Sequence, residues 1–418
     1  MTIKSRDTKK TLAEPSIYLQ SKLSTANLES LHKAPLRGVL LVSRAVVVVL
    51  FLAASYPLHA QLPIAERQSA AGDAPATAPP LAHDLAPSLK RSVVAKAIHK
   101  VADWQLSRAE SGFNQDWTFA ALYTGFMAVP DAAGGAKYRE AMQRMGTKFA
   151  WLPGPRLGHA DDEAVGQTYL DLYLTLHDPA MLAPIRDNID RVMQLPAPKD
   201  KPLWWWCDAL FMAPPVLTKL YQATGDRKYL DFMDRQWWIT SDLLYDKSDH
   251  LFARDQTFLQ SHQANGRRLY WSRGNGWVTA GLVRVLSVLP ANDPLREKYI
   301  EQFRQMSEEV ASIQGPDGLW RPGLLDPATY KLPEASGSAF FTYALAYGIN
   351  SGLLDRKKYL PVVKKAWAGL LKHVYEDGRL GCVQPVGAAP GDYTPPASYV
   401  FGTGAFLLAG SEIYRLAR

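Results

Sequence analysis

The sequence predicts an all-α protein built from helical hairpins, an inner ring of helices wrapped by an outer one. Three observations carry this. Eleven segments between residues 92 and 417 repeat apolar residues at i, i+3, i+4 and i+7. Strand-like alternation is confined to RLYW (268–271) and GRLGCVQP (378–385). A Lys-Tyr pair opens an amphipathic stretch in AKYREAMQRM (136–145), RKYLDFMDRQ (227–236), EKYIEQFRQM (297–306) and KKYLPVVKKA (357–366), with DPAMLAPIRDN (178–188) a degenerate copy. Spacings of about 45 to 70 residues are the length of one hairpin with its loops, the mark of a repeat architecture. An open α-solenoid is the alternative arrangement of the same units.

The chain has 418 residues, 47% hydrophobic, with 12 Trp, 19 Tyr and 14 Phe, flat side chains that stack on sugars or bases as readily as they bury. Residues 1–60 form an N-terminal extension that carries +5 of the formal +7 charge. The remaining +2 includes no basic stripe to follow a phosphate backbone, so nucleic acid is not an expected partner. The apolar run Ala45–Ala54 follows Arg37 and Arg44 and leads to Leu58-His59-Ala60, the pattern of a signal peptide. The run falls short of the ~20 residues of a membrane span, so export is expected, to the periplasm, with an uncut signal anchor in the inner membrane as the alternative. Residues 61–92 are Ala/Pro-rich and read as a flexible lead-in. Residues 93–418 then form one domain.

Within that domain the segments alternate in character. SVVAKAIHKVADWQL (92–106) opens the series, and KYREAMQRMGTKFAWL (137–152) is the first Lys-Tyr helix. VGQTYLDLYLTL (165–176) precedes MLAPIRDNIDRVMQL (181–195), and DALFMAPPVLTKLYQATG (208–225) precedes KYLDFMDRQWWITSDLLY (228–245). WVTAGLVRVLSVL (277–289) precedes REKYIEQFRQMSEEVASI (296–313). SAFFTYALAYGIN (338–350), KKYLPVVKKAWAGLLKHV (357–374) and GAFLLAGSEIYRLA (404–417) close the chain. The Lys-Tyr helices are charged and suit the outer ring. The helices near LWWWCDALFMAPP, RGNGWVTAGLV, GSAFFTYALAYG and GTGAFLLAGSEI are small, apolar and aromatic, begin with Gly, Ser or Asn, and suit the inner ring. Their N-terminal ends, with unpaired N–H groups, would open on a common cavity, so the loops entering them should hold the site.

One such stretch is PLWWWCDALFMAPPV (202–216), which sets Asp208 in the most hydrophobic part of the chain. A carboxylate there must find partners or keep its proton, and a general acid needs the second. The competing reading is a helix-capping Asp. Cys207 and Cys382 allow one disulfide arithmetically, and no Cys/His cluster has metal-ligand spacing.

DWTFAALYTG, HADDEAVGQTYLDLY, WWWCDALFMAPP, YWSRGNGWV, SGSAFFTYALAYGIN and GTGAFLLAGSEI, in this order, resemble glycoside hydrolase family 105, the unsaturated rhamnogalacturonyl hydrolases, with the family 88 unsaturated glucuronyl hydrolases as more distant relatives. The resemblance covers roughly residues 95–418 and implies an (α/α)6 barrel. It implies that Asp208 is the acid/base, desolvated by Trp204, Trp205, Trp206, Leu210, Phe211 and Met212. Asp161 is the first choice for an assisting carboxylate and Asp162 the second; a helix cap with first-turn acids accounts for Asp162 equally well and for Glu163 better. Arg273, between Trp271 and Trp277, suits a sugar carboxylate covered by an indole face, or else ties its loop through carbonyls. Trp117, Trp206, Trp277 and Arg254 complete the expected substrate contacts, Arg254 on a looser match. Tyr123 fits the core equally well, and His159, His262, Ser336 and Ser338 are not expected to be catalytic.

The resemblance further implies a substrate carrying a 4,5-unsaturated uronic acid, here galacturonyl on rhamnogalacturonan oligosaccharides from pectin, hydrated at C4=C5 without metal or organic cofactor. Unsaturated glucuronyl units from glycosaminoglycan or ulvan fragments are the alternative substrates. A non-catalytic glycan-binding barrel and a protein-binding helical scaffold are alternatives of another class.

Overall fold

A computed structural model describes residues 71–196 and 202–418. The N-terminal extension with its signal-like run, and the first part of the lead-in, lie outside the described residues.

Outer and inner helices alternate along the chain. The outer ones are α1 (Arg91–Ala109), α3 (Ala136–Lys148), α6 (Ala183–Val192), α9 (Lys228–Leu244), α11 (Arg296–Ser312) and α13 (Arg356–Leu371). The inner ones are α2 (Trp117–Ala133), the one-turn α4 (Ala160–Glu163) leading to α5 (Gly166–Leu176), the one-turn α7 (Ala209–Met212) leading to α8 (Pro214–Thr224), α10 (Ser272–Leu286), α12 (Ala335–Asn350) and α14 (Val400–Leu416). Inner helices are buried on nearly every side, α10 at all of its positions, whereas each outer helix keeps a solvent face. A helix hydrophobic all round belongs in a core, and one with a polar stripe belongs at the surface.

The inner helices pack in sequence, α2 on α5, α5 on α8, α8 on α10, α10 on α12 and α12 on α14, and α14 then packs on α2. That last contact closes the ring and excludes the open solenoid: six inner units inside six outer ones, an (α/α)6 barrel. Closure brings backbones very near. A Cβ on Gly404 of α14 would sit 2.2 Å from the Ala121 carbonyl oxygen of α2, so only glycine admits this crossing.

The Lys-Tyr repeat has a physical basis in the outer ring. In each copy the Tyr turns inward and is buried and the Lys ammonium meets an acidic residue on the preceding outer helix; in the first three the Tyr hydroxyl meets the same residue. Tyr138 donates to Asp103 at 2.5 Å and Lys137 pairs with it at 2.6 Å. Tyr229 and Lys228 meet Asp190 at 2.9 and 3.1 Å. Tyr299 and Lys298 meet Asp234 at 3.2 and 2.6 Å. In the last copy Lys358 pairs with Glu308 at 2.6 Å. The degenerate copy lies on α6, an outer helix as its position in the series predicts, and supplies Asp190 to the next one.

Strand is scarce among the described residues. β1 (Gly72–Asp73) pairs antiparallel with β4 (Ser398–Tyr399), and β2 (Tyr245–Asp246) with β3 (Leu251–Phe252). RLYW and GRLGCVQP contribute only isolated bridges, at Arg268, Trp271 and Leu380, because each runs as a single loop without a neighbouring ladder. From residue 71 the lead-in is not loose. Its backbone bonds to the loop around Val374–Glu376, through Ala82 N to Val374 O at 2.8 Å and Glu376 N to Pro80 O at 2.9 Å. Among the described residues no helix is long and apolar enough to cross a membrane. Cys207 and Cys382 are both buried free thiols, so the disulfide that the sequence allows is not formed.

Candidate active site

The N-terminal ends of the inner helices bring the expected residues to one end of the barrel. Asp208 immediately precedes α7, 8% exposed, and its carboxylate caps no backbone N–H there. The helix-cap reading of Asp208 therefore fails. Among the described residues its one side-chain hydrogen-bond partner is the Cys207 thiol, which donates to Oδ1 at 3.2 Å. Gly274 lies beneath it, where a Cβ would stand 3.5 Å from the same oxygen. Burial pushes the Asp208 carboxyl above the usual range, while Arg254, the Cys207 thiol and Arg273 pull it back. Burial likewise drives the Cys207 thiol up, so it serves as a donor and not as a nucleophile.

Asp161 faces the same centre from α4. Burial, and then the negative charge of Asp208, push its carboxyl up to about 7. The negative charge of Asp208 thus acts on Asp161, and burial raises both carboxyls. His159 Nδ1 lies 3.8 Å from Asp161 Oδ2, and the His159 ring rests 5.1 Å from Trp206.

Asp162, the second choice, points elsewhere. It accepts from the Arg156 backbone N at 2.6 Å and from the Arg156 guanidinium at 2.5 and 3.0 Å, which folds the loop 154–156 back onto α4. Its carboxylate is fully engaged, so the placement separates the two aspartates: Asp161 toward Asp208, Asp162 toward its loop. Glu163 is 2% exposed, and burial followed by the charges of Asp162 and Asp161 raises its carboxyl to about 8.

Arg273 is wholly buried, and its terminal nitrogens donate to the carbonyls of Gln384 and Pro385, each at 2.7 Å. Its guanidinium lies over Trp271 and Phe401 at 4.3 and 4.7 Å, with Glu334 at 3.8 Å. The loop-tying arrangement is the one present; toward Asp208 this arginine acts as a fixed positive charge behind the wall. Arg254 is the cation nearer the opening. It pairs with Asp255 at 2.6 Å, covers Trp205 at 5.4 Å, and is the largest charge holding Asp208 down.

Aromatic rings form the lining. Trp117 lies edge-on to Trp277 at 6.0 Å and stacks on Phe401 at 5.6 Å; Trp277 continues inward to Phe340 and Phe211 at 4.4 and 4.8 Å. Trp277 is completely buried and makes floor, while Trp117 is partly open. Trp206 packs on Trp205 at 4.7 Å, and its backbone bridges to Asp255. Tyr123 is core, bonded to the backbone of Asn114. His262 bridges to Arg268 in the rim, and Ser336 donates to Glu334 at 2.7 Å, which leaves it no base.

Two residues escape sequence reasoning. Glu334 caps α12 through Ser336 and Gly337 N–H groups and also accepts from Gln384 N at 3.1 Å, so it joins α12 to the loop that Arg273 holds. Tyr399, before α14, stacks on Phe401 at 5.7 Å and extends the wall outward. The acid ahead of ASGSAFF was a readable N-cap signal; nothing in the sequence pairs it with residue 384.

Comparison with known proteins agrees with this geometry. The family model described as Glycosyl Hydrolase Family 88 matches residues 90–417. An unsaturated 3S-rhamnoglycuronyl hydrolase of Formosa agariphila is 39% identical, over 78% of this chain and 92% of its own. The unsaturated rhamnogalacturonyl hydrolase YesR of Bacillus subtilis is 28% identical over 43% of this chain and 48% of its own. Among solved structures, a glycosyl hydrolase family 88 protein from Bacteroides vulgatus superposes with a TM-score of 0.74 at 32% identity, covering 78% of this chain and 99% of that one.

Proposed function

The chain belongs to glycosyl hydrolase family 88, and from that premise we propose that it removes a 4,5-unsaturated uronyl residue from rhamnose at the end of lyase-cut oligosaccharides. It is a hydrolase acting on O-glycosyl bonds. The observation that carries the reading is the pair Asp208 and Asp161, set among aromatic rings with both carboxyls raised by burial.

The chemistry follows from the substrate's vinyl ether. Its C4 accepts a proton, and the ring oxygen spreads the positive charge that forms at C5. We take Arg254, the largest positive charge acting on Asp208, as the partner of the uronate. Once the uronate neutralises it, Asp208 loses its main stabilising charge, and its carboxyl, already raised by burial, holds its proton more firmly. Asp208 gives that proton to C4 and, as carboxylate, takes one from the water that adds at C5. The resulting hemiketal opens to a ketone, and the hemiacetal left at C1 releases the rhamnose. No attack occurs at the anomeric carbon, so the carboxylate-separation rule of ordinary glycosidases does not apply.

Elimination across C4 and C5 erases the configuration that separates galacturonic from glucuronic acid. The residue beside Asp208 is therefore the same sugar from either source apart from its anomeric linkage, which the elimination leaves untouched. Discrimination rests on that linkage and on the rhamnose side, where the rhamnogalacturonan fragment and the rhamnoglycuronyl fragment named for the Formosa protein are the two substrates to compare. Loss of the alkene's ultraviolet absorbance reports turnover on both. Asp208→Asn is expected to abolish that loss while leaving the fold intact; turnover near the wild-type rate would remove Asp208 from its role.

A further inference from the structure

The lead-in residues 72–84 lie outside the stretch matched by the family model, yet they are built into the barrel. Asp73 in β1 takes two arginines. Arg379 reaches it at 2.5 Å and Arg108 of α1 at 3.0 Å. Burial alone would raise the Asp73 carboxyl, but Arg379 and Arg108 outweigh it and hold it below the usual range. Both arginines also lie on the Trp104 ring, each 5.0 Å from its centre, and the Trp104 indole N–H donates to Asp377 at 2.9 Å. Arg379 donates in addition to the Pro396 carbonyl at 3.1 Å. Further along, Leu81 bridges to Tyr375, and Asp84 meets Lys96 of α1 at 3.0 Å.

What this latch holds is the outer end of the active-site wall. Gly72 and Asp73 pair with Tyr399 and Ser398. The Tyr399 ring lies so close over Gly72 that a Cβ there would stand 2.4 Å from it. Tyr399, Phe401 and Trp117 then form one stack, with interplanar angles of 12° and 26°, running from β4 to the first residue of α2. Arg273, whose charge acts on Asp208, lies over the middle ring.

We propose that residues 72–84 are a strap whose latch at Asp73 sets the position of the Tyr399–Phe401–Trp117 wall, so that Asp73 is a positioning residue for substrate although it never touches it. The inference rests on the reading of this site as an unsaturated uronyl hydrolase. With the strap released, β4 loses its only strand partner among the described residues, and Tyr399 is free to turn away from Phe401.

Full-length Asp73→Ala, Asp73→Glu and Gly72→Val test this by two readouts. Displacement of a substrate-positioning group at a distance costs on the order of tenfold or more in kcat/KM. Asp73→Ala and Gly72→Val, which disturb the strap from opposite sides, are expected to show about that loss, mainly as a higher KM, with the melting temperature nearly unchanged. Asp73→Glu is expected to restore most of the wild-type KM. Near-ultraviolet circular dichroism reads the ring stack without substrate and should change in the first two variants only. Unchanged spectra and KM in Asp73→Ala overturn the proposal, as does a loss of kcat that follows the loss of folded protein with KM unmoved. A wild-type chain inactive on the alkene would sink the functional reading instead, and the spectra would still decide the strap.

Discussion

Replacing Glu163 by Gln should reverse part of this protein's pH dependence. Glu163 is 2% exposed, and its Oε1 has no hydrogen-bond partner among the described residues. Burial, then Asp162 and Asp161, lift its carboxyl from 4.5 to about 8. Between those values the folded protein keeps a proton that the unfolded chain has released. A raised acid of this kind stabilises fully only below its unfolded pKa, so stability falls as pH rises from there toward 8. Integrating that proton difference from about pH 5 to about pH 8 gives a loss of about 3 kcal/mol. Glutamine has nearly the same shape and no proton to lose. Asp161, raised to about 7, is present in both proteins and largely cancels in the comparison. Urea unfolding of wild type and Glu163→Gln at the two pH values measures the effect, and the variant's advantage should grow by about 3 kcal/mol. An advantage constant with pH would mean that Glu163 is ionised in the fold, and the account of its burial would be wrong.

Asp161→Asn removes the negative charge coupled to Asp208, so Asp208 should release its proton at lower pH. The alkaline limb of kcat/KM, set by loss of the acid's proton, is expected to move down by about one pH unit, and an unmoved limb would show that the two acids titrate independently. Arg273→Ala leaves two buried carbonyls and Glu334 without their cation. A destabilisation of about 3 to 5 kcal/mol in urea is expected, little of it recovered by Lys, which lacks the fork; a loss near zero would show that the 384–385 loop is held by other contacts.

The outer ring was legible because its helices are amphipathic and repeat the Lys-Tyr signature, so a period of one hairpin carried both type and order. The inner helix Trp117–Ala133 has no such period. It is apolar on every side, and only its place between α1 and α3 reveals it. Asp208 could be found because a carboxylate among tryptophans is a local anomaly. Choosing between Asp161 and Asp162 could not be done locally, since the answer depends on where Arg156 folds back. The same limit hid the role of Arg273: whether a guanidinium meets a ligand or a carbonyl is decided by a loop 111 residues later in the chain. The lead-in looked flexible by composition, and composition says nothing of an arginine 306 residues away that fixes Asp73. In each case a local pattern set the element, and a distant partner set its use.

The barrel's closing joint has a consequence for how the molecule comes into being. Trp117 and Phe401 meet across that joint, and Thr403 donates to Gln105 beside it at 2.8 Å, from 298 residues further along. A ribosome must therefore deliver the chain as far as α14 before the site has two sides. A chain that stops before residue 400 lacks α14, and with it half of the stack and the ring over which Arg273 sits. The site is thus assembled only once α14 can dock on α2.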